Sequence, residues 1–240
     1  MNIKKFHKFN EAKIQNIASK YLDYYYLDED VSLTALREIF DIIDDNSYRA
    51  VATFSHQIQY FEDFGGIKIA LLNYPPERHT KRNFKIKFDE IKQFQSIIDE
   101  VEFPWDKKYL QWGENHWRNI VLESIECGFK LRPMLEIGIM NIDDIKITTN
   151  FLKDIGIRSI VTSTGLIQEI TTIEKWEEIK DLFPSIFETK VIGLVTLNQL
   201  NQFIESDIDL AATTISISTN YNLNDNDIDY FGDNESWLNN

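Results

Sequence analysis

The residues best suited to chemistry are one lysine, three carboxylates and a short run of small hydroxyl side chains. Lys190 stands in the apolar stretch Thr189-Lys190-Val191-Ile192. A lysine at the end of such a strand is costly to bury unless it has a role or an acidic partner. Two readings compete for it. Its amine attacks a carbonyl and forms a Schiff base, or its ammonium binds an anionic substrate or pairs with Glu102, Glu136 or Asp23. Those carboxylates are also the candidate general acids and bases, because acids arriving from separate strand ends can hold a water or a proton between them. Each is equally at home in a solvated or ion-paired setting. The hydroxyl run is Ile160-Val161-Thr162-Ser163-Thr164-Gly165, and a strand ending this way can offer N–H groups and hydroxyls to an anion without side-chain obstruction. Thr162 and Ser163 lack the flanks of a nucleophile elbow and read as hydrogen-bonding groups.

Apolar strands alternating with amphipathic helices must position these groups, a pattern that calls for a parallel sheet with helical crossovers. Expected strands run over Tyr21–Leu27, Ala50–Phe54, Gly66–Leu72, Val101–Trp105, Arg132–Ile137, Ile157–Ser163, Thr189–Ile192 and Asp209–Thr214. Expected helices are Ser32–Ile43, with Ser32 or Asp30 as cap, Phe88–Ile98, His116–Cys127 stopped by Gly128, and Asn141–Ile155. Eight strands with intervening helices in 240 residues fit a single α/β domain, a closed (β/α)8 barrel. The barrel is expected over residues 20–218, after an N-terminal helical segment at 1–19 and before an Asn/Asp-rich tail at 219–240.

The stretch Met134-Leu135-Glu136-Ile137-Gly138, a helix, then Val161-Thr162-Ser163-Thr164-Gly165 resembles the deoxyribose-phosphate aldolases, class I aldolases built on a (β/α)8 barrel. In that family the first strand carries Glu-Thr-Gly and the second Val-Lys-Thr-Ser-Thr-Gly. The likeness continues in order through Tyr21-Leu22-Asp23-Tyr24, Gly66-Ile67-Lys68-Ile69-Ala70 with Tyr74-Pro75, Val101-Glu102-Phe103, Thr189-Lys190-Val191-Ile192-Gly193 and Ala212-Thr213-Thr214-Ile215. It covers roughly residues 20 to 216. The resemblance implies a carbon–carbon lyase acting on a sugar phosphate or small aldehyde. Lys190, Glu102 and Asp23 would be its catalytic groups, and Thr162, Ser163, Gly165, Gly193, Thr214 and Glu136 would contact the ligand. The departures bear on mechanism: Val161 replaces the Schiff-base lysine, and Leu194 and Ile215 replace a glycine and a serine of the phosphate cradle. The alternative is therefore a catalytically inactive aldolase-fold protein that binds a small molecule or a partner protein.

Composition narrows the partners. With 25 basic and 39 acidic residues the net charge is −14, which disfavours nonspecific binding to nucleic acid or an anionic membrane and leaves a homodimer or a basic protein as the macromolecular partners to expect. The basic run Pro75-Pro76-Glu77-Arg78-His79-Thr80-Lys81-Arg82 could attract an anionic ligand or be a solvated loop. Cys127 is the one cysteine, so no intramolecular disulfide forms. His7, His56, His79 and His116 have no metal-ligand spacing, and no metal or cofactor is expected. No signal-peptide run or 18-residue apolar stretch is present, and the expectation is a soluble cytoplasmic protein.

Overall fold

Strand residues of alternating orientation sort into two cores. In the computed structural model, which describes residues 20–28, 32–46, 48–74, 80–166, 171–183, 185–193 and 197–213, the strands are β1 (Leu22–Tyr26), β2 (Ala50–Phe54), β3 (Ile67–Leu71), β4 (Glu100–Pro104), β5 (Lys130–Met134), β6 (Ser159–Val161), β7 (Glu188–Ile192) and β8 (Leu210–Thr213). Each pairs in parallel with its neighbours in chain order, and β8 closes on β1 through Asp23↔Ala212. The result is a (β/α)8 barrel, as the alternation of elements implied.

Side chains facing outward, among them Leu22, Tyr24, Val51, Ala70, Val101, Leu131, Ile160 and Val191, join the helices in a large outer core. Side chains facing inward form a smaller one: Tyr25, Ala50, Ala52, Ile69, Leu71, Met134, Val161, Ile192 and Ala212. Small residues are placed with purpose there. Asp23 lies in register between Ala50 and Ala212, and Tyr25 beside Ala52, so large groups on β1 have room to cross the barrel.

The helices are α1 (Leu33–Asn46), α2 (Lys81–Ile91), α3 (Glu114–Glu126), α4 (Ile142–Ile155), α5 (Ile173–Ile179) and α6 (Leu197–Glu205). Ser32 Oγ accepts from Ala35 N at 3.2 Å and Asn141 caps α4 through Asp144 N at 2.8 Å. Gly128, at φ +82°, ends α3 in a Schellman turn in which Phe129 N reaches Ser124 O at 2.7 Å.

Three expected elements are corrected. The helix placed at Phe88–Ile98 lies seven residues earlier: Thr80 caps it through Asn83 N at 3.1 Å, Phe84, Phe88 and Ile91 fill its buried face, and a 3-10 turn at Lys92–Phe94 follows. Strand β5 stops at Met134 rather than Ile137, because the chain curls at Glu136, whose carbonyl accepts from Met140 N at 3.0 Å. Strand β6 likewise shrinks to Ser159–Val161, the following Thr-Ser-Thr-Gly being loop. Residues 1–19, Asp30, Pro75–His79, Leu194, and the tail from Thr214 on, Ile215 included, lie outside the described residues.

Candidate active site

Every charged group of the barrel interior has an opposite charge beside it. Arg49, immediately before β2, grips Asp23 of β1 with Nε at 2.6 Å from Oδ1 and Nη2 at 2.7 Å from Oδ2. Lys190 of β7 meets the same carboxylate, Nζ to Oδ2 at 2.8 Å, and also pairs with Glu102 Oε1 of β4. The Tyr25 hydroxyl donates to the other Glu102 oxygen, and the Tyr25 ring lies over Lys190 with its centroid 4.9 Å from Nζ. Asp23, Glu102 and Lys190 have no exposed surface. A second tier occupies the N-terminal end of the strands. There Arg132 Nη2 reaches Glu100 Oε1 at 3.0 Å and Glu188 Oε1 at 2.6 Å, and Lys130 pairs with Glu188.

Charge sets the protonation states. Burial pushes the Asp23 carboxyl up, but Lys190 and Arg49 outweigh it and hold the group below its ordinary value of 3.8. Burial, together with Glu102, drives the Tyr25 phenol well above 10, so it remains a donor. Arg132 and Lys130 outweigh burial at Glu188 and hold that carboxyl below its ordinary 4.5.

Lys190 is the third of five residues in β7, not its C-terminal residue. Tyr25 and Ile192 follow Asp23 and Lys190 by two positions on their own strands, as Met134 follows Arg132, and all three belong to the inner apolar cluster. Val161 is the register partner of Lys190 and is fully buried.

At the mouth, Glu136 closes onto the loop after β6. Its Oε2 accepts from Ser163 Oγ at 3.1 Å, and its Oε1 accepts from Thr164 N at 3.3 Å and from Thr164 Oγ1. The Tyr74 hydroxyl donates to Thr164 O at 2.9 Å. Gly165, at φ +73°, gives its N–H to Ser163 Oγ at 3.0 Å. Thr162 is buried, and its carbonyl accepts from Thr171 Oγ1 at 3.1 Å. Gly193, at φ +92°, follows β7, and Thr214 lies outside the described residues.

The structure therefore brings Asp23, Glu102 and Lys190 into contact and gathers Glu136, Ser163 and Thr164 separately at the mouth. Arg49 and Arg132 were not anticipated from sequence, nor were the hydroxyl contacts of Tyr25, whose aromatic run suggested core packing or pocket lining, and of Tyr74. Among the described residues no group of three or more His, Cys, Asp or Glu side chains is placed to hold a metal ion, and no helix is long and apolar enough to cross a membrane.

This barrel superimposes on an aldolase designated QR15 with a TM-score of 0.73, at 18% identity over 84% of this chain and 93% of that one. It superimposes on the tetrameric deoxyribose phosphate aldolase of Aeropyrum pernix with a TM-score of 0.72, at 13% identity over 85% and 90% of the two chains. The fold is that of a deoxyribose-phosphate aldolase. No protein-family model matches the sequence, and no curated protein matches it either. The shared aldolase fold spans nearly the whole described barrel. Within it the chemistry of the interior has to be read from the chain's own side chains.

Proposed function

We propose that this aldolase-fold protein binds a small molecule at the C-terminal mouth of the barrel without forming a Schiff base. The observation that carries this reading is the setting of Lys190. Its Nζ is held between Asp23 Oδ2 at 2.8 Å and Glu102, under the Tyr25 ring, and the neighbouring strand offers Val161 rather than a second amine. An ammonium clasped by two carboxylates has no lone pair to give a carbonyl carbon. The side chains that follow Asp23, Arg132 and Lys190 by two positions toward the C-terminal end, Tyr25, Met134 and Ile192, are buried in one cluster. Lys190 then serves as the counter-ion of two buried acids, and its retention among aldolase-like motifs reflects that pairing.

The test is intact-mass analysis after incubation with acetaldehyde or deoxyribose 5-phosphate in the presence of borohydride, with Lys190→Ala alongside. An unmodified protein is expected. A trapped adduct that disappears in Lys190→Ala overturns the reading and makes the chain a carbon–carbon lyase, with Lys190 as nucleophile and Glu102 and Asp23 as its proton-handling partners. Binding is measured separately by thermal shift: a ligand at ten times its Kd raises stability by about 1.4 kcal/mol when it binds only the folded chain.

A further inference from the structure

Tyr74 joins two loops that stand well apart around the barrel mouth. It lies three residues after β3 ends at Leu71, and its hydroxyl donates to the Thr164 carbonyl, three residues after β6 ends at Val161, at 2.9 Å. Strands β3 and β6 are three places apart on a closed ring of eight. Their C-terminal loops are not neighbours, and the phenol that links them packs on the inner apolar cluster, so it crosses the mouth. The backbone prepares the crossing. Leu72 belongs to the outer core, and Asn73 then adopts φ +56°, a left-handed turn that asparagine tolerates better than most side chains. That turn carries the chain from the outer layer to the inner one. Phe54, the last residue of β2, braces the ring with centroids 6.3 Å apart and planes tilted by 41°. Thr164 is itself anchored, giving its N–H to Glu136 Oε1 at 3.3 Å and its hydroxyl to the same oxygen. Burial, then Glu136 and Glu102, push the Tyr74 phenol well above the ordinary value of 10, so it stays protonated and keeps donating.

We propose that Tyr74 is a bar across the barrel mouth: latched to Thr164 it keeps small molecules from the inner cluster, and its outward swing admits them. One neutral hydrogen bond and one ring contact hold the bar, a closure weak enough to open and re-form without unfolding. The swing leaves the Thr164 carbonyl bare, and a ligand hydroxyl can take the bond that Tyr74 gives up. Hydroxylated molecules, phosphorylated or not, therefore pass at less cost than apolar ones of the same size. This preference rests on the binding reading above; the control of access rests on the span from Tyr74 to Thr164 alone.

The test puts a reporter thiol behind the bar. In the full-length chain carrying Cys127→Ser, Val161→Cys replaces a fully buried inner side chain with one of similar size, and Val101→Cys does the same in the outer core. Labelling by methyl methanethiosulfonate is followed by intact mass under native conditions, with circular dichroism to confirm folding. Ile192→Cys is the inner reporter should Val161→Cys not fold. Tyr74→Phe keeps the ring and deletes the latch, and it should speed labelling of the inner thiol about two- to twelvefold, the range one neutral hydrogen bond commands. Tyr74→Ala removes the bar and should speed it further; Tyr74→Phe carries the answer should the alanine variant not fold. The outer thiol should respond to neither substitution. An inner thiol that labels at one rate with Tyr74 and with Tyr74→Phe overturns the proposal. So does a rise that the outer thiol shares, since that reports general loosening. Ligands separate the two readings. With Tyr74 in place, 2-deoxyribose should slow labelling of the inner thiol, and tetrahydropyran, a ring without hydroxyls, should not. Equal slowing by both overturns the hydroxyl preference. Slowing by neither, beside a Tyr74-dependent labelling rate, removes the binding reading and supports the bar.

Discussion

Replacing Lys190 with methionine tests whether the lysine is a counter-ion. At 2.8 Å from Asp23 Oδ2, a unit charge pair at an effective dielectric constant of about 20 attracts by about 6 kcal/mol, most of which offsets the cost of stripping both groups of water. Removing the cation leaves that desolvation unopposed, and breaking a fully buried pair this way costs about 3–5 kcal/mol. The two acids do not suffer equally. Asp23 keeps both contacts to Arg49, at 2.6 and 2.7 Å, whereas Glu102 keeps only the Tyr25 hydroxyl among the contacts described. Most of the penalty therefore falls on Glu102. Adding Glu102→Gln to Lys190→Met should recover the larger part of the lost stability, and adding Asp23→Asn should recover less. The assay is urea unfolding of the four proteins at neutral pH. For a chain of this size the single variant should melt roughly 6–20 °C lower. A loss under about 1 kcal/mol, or no rescue by Glu102→Gln, would mean that the amine is free of its carboxylates, and the case against Schiff-base chemistry would collapse with it.

Tyr25→Phe removes the donor to Glu102 and leaves a buried carboxylate oxygen unsatisfied, for an expected loss of about 1–3 kcal/mol in urea; no measurable change would show that Glu102 does not depend on the phenol. Gly66→Ala would put a Cβ 2.5 Å from Phe64 Cζ and 2.9 Å from the Arg49 carbonyl. The ring can swing away, but that carbonyl accepts from Ile67 N at the start of the β2–β3 ladder, so a melting-point loss equivalent to about 1–3 kcal/mol is expected. Asp23 and Glu188 are both held below their ordinary values of 3.8 and 4.5, so their stabilisation is complete above those values and lost as pH falls through the lower folded ones. Urea midpoints should therefore fall steeply below about pH 4, and a midpoint that holds or rises there would contradict the assigned pairing.

The order of elements was legible because each strand announces itself as a short apolar run bounded by turn residues, and the barrel followed from the count and the alternation with helices. What failed was local. Lys81-Arg82-Asn83-Phe84-Lys85-Ile86-Lys87 opens α2 but reads as an extension of the preceding basic loop, since its one fully buried side chain there, Phe84, finds its helical partners only at Phe88 and Ile91. Strand β5 was drawn too long because Leu135 and Ile137 continue the apolar pattern, and their N–H groups do bond to the carbonyls of Val161 at the end of β6 and Thr162 just after it, while the chain is already turning at Glu136.

The meeting of Asp23, Glu102 and Lys190 was anticipated from the order of the aldolase-like motifs, but the rest of the charged interior was not, although a signal for it exists. Strands β4, β5 and β7 each carry two charges two residues apart, Glu100 and Glu102, Lys130 and Arg132, Glu188 and Lys190. Spacing of two in a strand puts both on one face, and the residues between them, Val101, Leu131 and Thr189, turn the other way. With Asp23 and Arg49 these make four acids and four bases among the described residues, Lys130 and Glu188 partly exposed, and no pairing among them is local in sequence: the shortest links 26 positions. A residue-by-residue reading sees these as isolated buried charges, each costly; only the barrel's register makes them mutual partners. The same register underlies the proposal that no Schiff base forms. A nucleophilic Lys190 would have to give up a proton that two carboxylates hold in place, and Asp23 would then lean on Arg49, which also reaches Glu100 at 3.4 Å. The cost of freeing one amine is therefore shared among β1, β4, β7 and Arg49 before β2, and on the proposed reading the charges act as one interlocked network.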